Sequence, residues 1–168
     1  MGNEPRFIVD NMLGTVARWL RILGYDAVYD REVSDWQILR RAELEKRIVV
    51  TRDRALHNRA IKLGLRSIFL WEDDMASRLA HISAVVGIRL AVDFEKTRCP
   101  EDNTPLVKVS RDAVKDSVPP SVYRLHSDFW KCPTCGKAYW VGSHWKMIER
   151  ILGEARKKLE SYKEKMRT

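Results

Sequence analysis

The stretch Arg47-Ile48-Val49-Val50-Thr51-Arg52-Asp53-Arg54-Ala55-Leu56 constrains this chain more than any other. Ile48, Val49 and Val50 form an unbroken β-branched run with no turn residue, which reads as a short buried strand. Thr51 closes the run, and Asp53 follows two residues later. The spacing then turns helical. Leu56, Ala60, Ile61 and Leu63 are expected on one face, with Gly64 as the stop. A carboxylate at the carboxyl end of a buried strand lies where open α/β sheets take their ligands. The rest of the chain supplies candidate partners for Asp53.

The same strand-then-helix pattern recurs on both sides. Phe7, Ile8 and Val9 are the apolar run of a first strand over 6–10, closed by Asp10. A helix over 12–23 follows, with Leu13, Val16, Ala17, Leu20 and Leu23 as its stripe, Arg18 and Arg21 off its centre, and Gly24 after its end. A second strand is expected over 26–29. Ser34-Asp35 opens a second helix, backed by Trp36, Ile38, Leu39, Ala42 and Leu44. A fourth strand over 66–71 runs into Glu72-Asp73-Asp74, and a helix over 75–86 follows. This alternation predicts a parallel, doubly wound sheet, with the strand order left open.

Near Phe94 the pattern breaks, which divides the chain into an α/β domain over 1–92 and a smaller unit over 93–168. Its 168 residues suffice for one such core plus an appendage. Arg98-Cys99-Pro100-Glu101-Asp102-Asn103 and Lys131-Cys132-Pro133-Thr134-Cys135-Gly136 look like two facing turns of a small β unit. Short alternating stretches such as 106–109 and the segment Val118-Pro119-Pro120 lie between them. From Trp145 a closing helix is expected, with Ile148, Ile151, Leu152, Ala155, Leu159 and Tyr162 in register and a strongly basic end. The three cysteines are an odd number, and Cys132-Pro133-Thr134-Cys135 points to metal binding in a reducing cytoplasm. No apolar run approaches 18 residues and the amino terminus carries no apolar segment, so neither a membrane span nor secretion is expected.

Asp10, Asp35 and Asp53 fall at matching places, after or near the first, second and third strands, and Asp73 or Asp74 follows the fourth. In a parallel sheet these carboxyl ends share one edge. Carboxylates crowded there repel one another, and a hard cation such as Mg²⁺ or Mn²⁺ would resolve the repulsion. The competing reading is that Asp35 and Asp53 only open their helices. The net charge of +8 fits an anionic partner, most simply RNA or DNA, or else a solvated basic surface. Arg18, Arg21, Arg52 and Arg54 lie near the acidic edge and are candidates for holding phosphates. Trp140, His144 and Trp145 are candidates for stacking bases, with domain packing as the alternative role. His57 reads as a surface residue.

Two halves of the chain together resemble a known family. Phe7 to Gly14, Ala17 to Asp26, Ser34-Asp35 and Val50 to Arg54 resemble a PIN-like ribonuclease domain. The subtype resembled is the carboxy-terminal RNase domain first described in mutator-seven exonucleases. Arg98-Cys99-Pro100, Val118-Pro119, Phe129 and Cys132 to Trp145 are similar to its tail. The resemblance implies a PIN-like fold, divalent-metal catalysis by Asp10, Asp35 and Asp53, and cleavage of single-stranded RNA. No organic cofactor is implied. It also implies a zinc ribbon with two Cys-x-x-Cys knuckles, and here the chain departs from the pattern. Asp102 stands where a second cysteine is expected, so the ligand set would be Cys99, Asp102, Cys132 and Cys135. His126 or His144 are substitutes, and packing of Trp130, Tyr139 and Trp140 without metal is the alternative. The sequence thus predicts a metal-dependent endoribonuclease. Its rivals are a non-catalytic RNA-binding module and a protein-interaction scaffold.

Overall fold

The computed structural model describes residues 3–167. Strands β1 (Phe7–Val9), β2 (Ala27–Tyr29), β3 (Ile48–Thr51) and β4 (Ser67–Phe69) alternate with helices α1 (Gly14–Ile22), α2 (Asp35–Glu45), α3 (Arg54–Lys62) and α4 (Met75–Val86). The strands form one parallel sheet in the order β2-β1-β3-β4. In register, Phe7 faces Ala27 on one side and Ile48 on the other. Parallel strands are covered on both faces and need apolar residues at successive positions. Phe7, Ile8, Val9, Ile48, Val49 and Val50 are each no more than 3% exposed. The strand alternation divides them. Phe7, Val9, Ile48, Val50 and Ile68 pack into a core shared with α1 and α4, while Ile8 and Val49 pack against α2 and α3.

The structure departs from the expected helices in three places. The first helix begins with a separate 3-10 turn, Asn11–Leu13, because the Asp10 side chain accepts from the Asn11 amide and its carbonyl from Leu13. Trp36 and Leu44 on α2, and Ile61 and Leu63 near the end of α3, are exposed rather than buried. Their face of the sheet offers little beyond Ile8 and Val49, so only a narrow stripe of each helix finds a partner. A short helix, α5 (Pro120–Leu125), begins at Pro120, where a missing N–H costs nothing at a first helical position.

The smaller unit is an antiparallel sheet of β5 (Val107–Val109), β6 (Phe129–Lys131) and β7 (Ala138–Tyr139), in the order β5-β6-β7. Val114, Val118, Phe129 and Ala138 form its small core. The closing helix α6 (Trp145–Arg167) then returns to the first unit. Ile148, Leu152 and Ala155 enter the core built on α1 and α4. A polar clamp accompanies this packing. Glu72, buried just past β4, accepts from the Tyr162 hydroxyl at 2.7 Å and bonds His81 Nδ1 at 2.8 Å. Among the described residues no helix is long and apolar enough to cross a membrane.

Candidate functional site

The strand order locates a crevice. β1 connects outward to β2 through a helix on one face, whereas β2 connects to β3 and β3 to β4 through helices on the other. The winding therefore reverses between β1 and β3, and ligands of open α/β sheets bind outside the carboxyl ends at such a switch point. Asp10 closes β1 and Thr51 closes β3, side by side at that point. The Thr51 hydroxyl donates to Asp10 Oδ2 at 2.8 Å and accepts from the Asp53 amide at 2.9 Å. Asp10 Oδ1 accepts from the Asn11 amide at 2.7 Å. Asp10 is 3% exposed, and among the described residues no cation pairs with it. A buried carboxylate without a counter-ion is costly in a folded protein. Asp53 uses Oδ1 to cap α3, accepting from the amides of Ala55 and Leu56.

The other expected site residues are occupied. Asp35 opens α2 and its carboxylate pairs with Arg59 on α3 at 2.5 Å. Asp73 is exposed and bonds Arg52 at 3.2 Å. Asp74 caps α4 through the Ser77 amide, and hydrogen bonds from the Ser77 side chain and then its backbone hold the carboxyl below the usual value. Asp10, Asp35 and Asp53 thus stand at the end of β1 and at the starts of α2 and α3, while the group of ligating side chains found among the described residues lies in the small unit. Arg18 is half exposed and pairs with Glu101. Arg21 is neither at the acidic edge nor on a solvated face. It is buried, and its guanidinium donates to the carbonyls of Ala27 and Pro100. Those carbonyls lie at the seam between α1 and the small unit, which is why a charged residue is retained there. Arg54 stacks over the Phe69 ring, and His57 bonds Ser67. Thr51 was readable only as the polar end of a strand, because its role depends on which strands are neighbours.

A second constellation lies in the small unit. Cys99, Asp102, Cys132 and Cys135 place one ligand atom each within 4.8 Å of one another, a group that can hold a metal ion such as zinc. The backbone explains why. In each knuckle the first cysteine's amide donates five residues on, Cys99 to the Thr104 carbonyl and Cys132 to that of Lys137. In each, the fourth amide onward returns, Asn103 to the Cys99 carbonyl and Gly136 to that of Cys132. Both returning residues have positive φ, 73° at Asn103 and 79° at Gly136. The two turns are conformational copies, so Asp102 occupies the place that Cys135 holds in the other. The Cys99 and Cys135 sulfurs are 3.8 Å apart, near the spacing that a tetrahedral ion with Zn–S of about 2.3 Å imposes. Asp102 lies 3.3 Å from the Cys132 sulfur. The Thr104 amide, above all, holds the Asp102 carboxyl down at about 2, so it is an anion ready to ligate. The Lys137 amide favours the Cys135 thiolate, but desolvation and the Cys132 and Cys99 sulfurs outweigh it and push that thiol up to about 11. Neither His126 nor His144 belongs to this group.

The first knuckle is fastened to the α/β unit. Asn103 donates to Asp26 at 2.7 Å and accepts from the Ala27 amide at the start of β2. Asp26 is in turn paired with the buried Arg47 that precedes β3. Compared with known proteins, the chain is matched by one family model, the Mut7-C RNAse domain, over residues 5–152. No curated protein and no solved structure matches it.

Proposed function

The chain belongs to the Mut7-C RNase domain family, and from that membership we propose that it is a metal-dependent endoribonuclease acting on single-stranded RNA at the switch-point crevice. Family membership supports ribonuclease-type function and RNA as the substrate. The observation that carries the finer reading is Asp10, a buried carboxylate with no counter-ion among the described residues, beside the Asp53 segment. Mg²⁺ or Mn²⁺ suits such oxygen donors. When bound, the cation would neutralise the scissile phosphate and lower the pKa of its water. Asp10 and Asp53 would hold it, and Asp53 has a second oxygen beyond its capping bond. Thr51 fixes both, one through the carboxylate and one through the backbone. Asp35, now paired with Arg59, would join on leaving that partner and would act as a closing residue rather than a fixed ligand. Arg52 and Arg54, beside Asp53, would meet phosphates of the bound strand, as would Arg18. The Cys99-Asp102-Cys132-Cys135 group would hold Zn²⁺ in a closed, structural site.

The test is single-turnover cleavage of single-stranded RNA in Mn²⁺ by the parent, Asp10→Asn and Asp53→Asn, with EDTA as the control. Both variants are expected to lose orders of magnitude in rate. An Asp10→Asn protein that cuts at the parental rate would place the active site elsewhere and favour the binding-module reading.

A further inference from the structure

A cavity of about 390 Å³ opens between α1, the small sheet and the start of α6, a size within the range of ligand sites. One wall is a single face of α1, where Thr15, Arg18, Trp19 and Ile22 stand at i, i+3, i+4 and i+7. They span about 10 Å of helix axis. The opposite wall is aromatic. Phe94 is held between Trp130, at 4.7 Å between ring centroids, and Trp145, at 5.3 Å. Trp140 closes the wall, and among the described residues its indole N–H has no acceptor. A Cβ on Gly142 would lie 2.8 Å from that nitrogen, so glycine is what leaves the ring in place. The rim is charged. Arg18 and Lys137, each about half exposed, share one carboxylate, Glu101, at 2.8 and 3.6 Å. Two cations on one anion leave a net positive rim over an aromatic interior.

We propose that this cavity receives one unstacked base of a single-stranded RNA, with an adjoining phosphate on Arg18 and Lys137. The proposal deepens the ribonuclease reading and rests on it. Aromatic faces take any base without sequence preference, but only a base free of its stack can enter. The positive rim favours a polyanion over an apolar protein segment. The position also fits a path. Thr15, which lines one end of the cavity, lies just past the 3-10 turn that Asp10 caps, so that end is the one nearer the crevice along the chain. A strand whose phosphate meets Asp10 reaches Arg18 next. Exclusion of duplex would then arise here, not at the acids.

The experiment irradiates the unaltered chain with a short single-stranded RNA carrying one 4-thiouridine, and with the same RNA annealed to its complement. Crosslinks are expected within residues 15–22 or 139–145 for the single strand and to vanish for the duplex. Affinity is measured alongside. Trp140→Ala is expected to weaken single-strand binding about tenfold, with Trp140→Phe recovering most of the loss. Glu101→Gln is expected to tighten binding and steepen its salt dependence, since it frees two cations. Crosslinks confined to other segments overturn the proposal, even if Trp140→Ala fails to fold. A folded Trp140→Ala with parental single-strand affinity overturns it too, as does a parent that binds no single-stranded RNA. If Asp10→Asn still cuts while crosslinks map to the cavity, the catalytic reading fails and the cavity stands.

Discussion

A single hydroxyl links the two acidic residues on which the proposed chemistry depends, one through its carboxylate and the other through its backbone amide. Thr51 donates to Asp10 and accepts from the Asp53 amide, both at under 3 Å. Thr51→Val keeps the shape and deletes both bonds. It leaves a buried carboxylate oxygen unsatisfied, which is expected to cost about 2 kcal/mol in a denaturant titration. Cleavage is expected to fall further than stability accounts for, because Asp10 and Asp53 lose their common support. Asp102 is the second residue of consequence. Its backbone copies that of Cys135 across the two knuckles, so Asp102→Cys meets no geometric obstacle. That variant is expected to hold zinc more tightly against a competing chelator, and Asp102→Ala more weakly. Zinc loss from Asp102→Cys at the parental rate would show that Asp102 is not a ligand. At this scale the sequence was informative about identity and poor about orientation. Cys-Pro-Glu-Asp beside Cys-Pro-Thr-Cys exposed the shared knuckle and its one departure. Arg21, by contrast, read as an off-centre helix cation and a candidate for holding phosphates. It is buried because Pro100, 79 residues away, brings a carbonyl to it.

The elements were legible where periodicity is strong, and their neighbours were not. Four strand-helix pairs follow from apolar runs and stripes, since a parallel strand must be apolar throughout and a covering helix on one side. Strand order depends on loop paths that leave no periodic trace, and with it went the adjacency of Asp10 and Thr51. The closing helix shows the same division. Its stripe was plain, but nothing local indicated that Ile148, Leu152 and Ala155 complete the core on α1 and α4. Nor could its clamp be foreseen, as Tyr162 lies 90 residues from Glu72. Burial alone would raise the Glu72 carboxyl, but hydrogen bonds from His81 and Tyr162 prevail and hold it below its ordinary 4.5. A depressed carboxyl contributes stability that is full above the ordinary value and is lost as pH falls through the folded one. Glu72→Gln is therefore expected to lower stability by about 2 kcal/mol near neutral pH. Its deficit against the parent should shrink as pH drops below 4.5. Melting curves across that range check this, and a deficit independent of pH would mean that the clamp is not ionised.

For the whole molecule the question is whether the two sheets stand or fall together. Among the described residues the core of the small unit has four buried side chains, Val114, Val118, Phe129 and Ala138, so a metal would be a large part of its stability. It is nevertheless held between parts of the larger unit. Arg21 and Asn103 fasten its first knuckle to α1 and β2, and α6 leaves it to pack on α4. Two outcomes of removing zinc are thus physically distinct. If the knuckles are a local attachment, chelation should release the protected amides of 99–104 and 132–139 to fast hydrogen exchange. β1, β3, α4 and α6 should then keep their protection, because their core of Phe7, Val50, Leu79 and Leu152 contains no ligand. If α6 depends on the small unit for its position, its amides should lose protection together with the knuckles. The packing argues for the first outcome, since Ile148, Leu152 and Ala155 enter the larger core, although Trp145 also reaches Trp130 of the small sheet through Phe94. Hydrogen exchange with and without chelator reads both sets of amides in one experiment. The same samples test the link to RNA. Trp130 and Tyr139 come from β6 and β7, so loosening those strands should weaken single-strand binding while the Asp10–Thr51 pair stays protected. Loss of protection at β1 or β3 on chelation would show instead that the sheet carrying the acids depends on the metal.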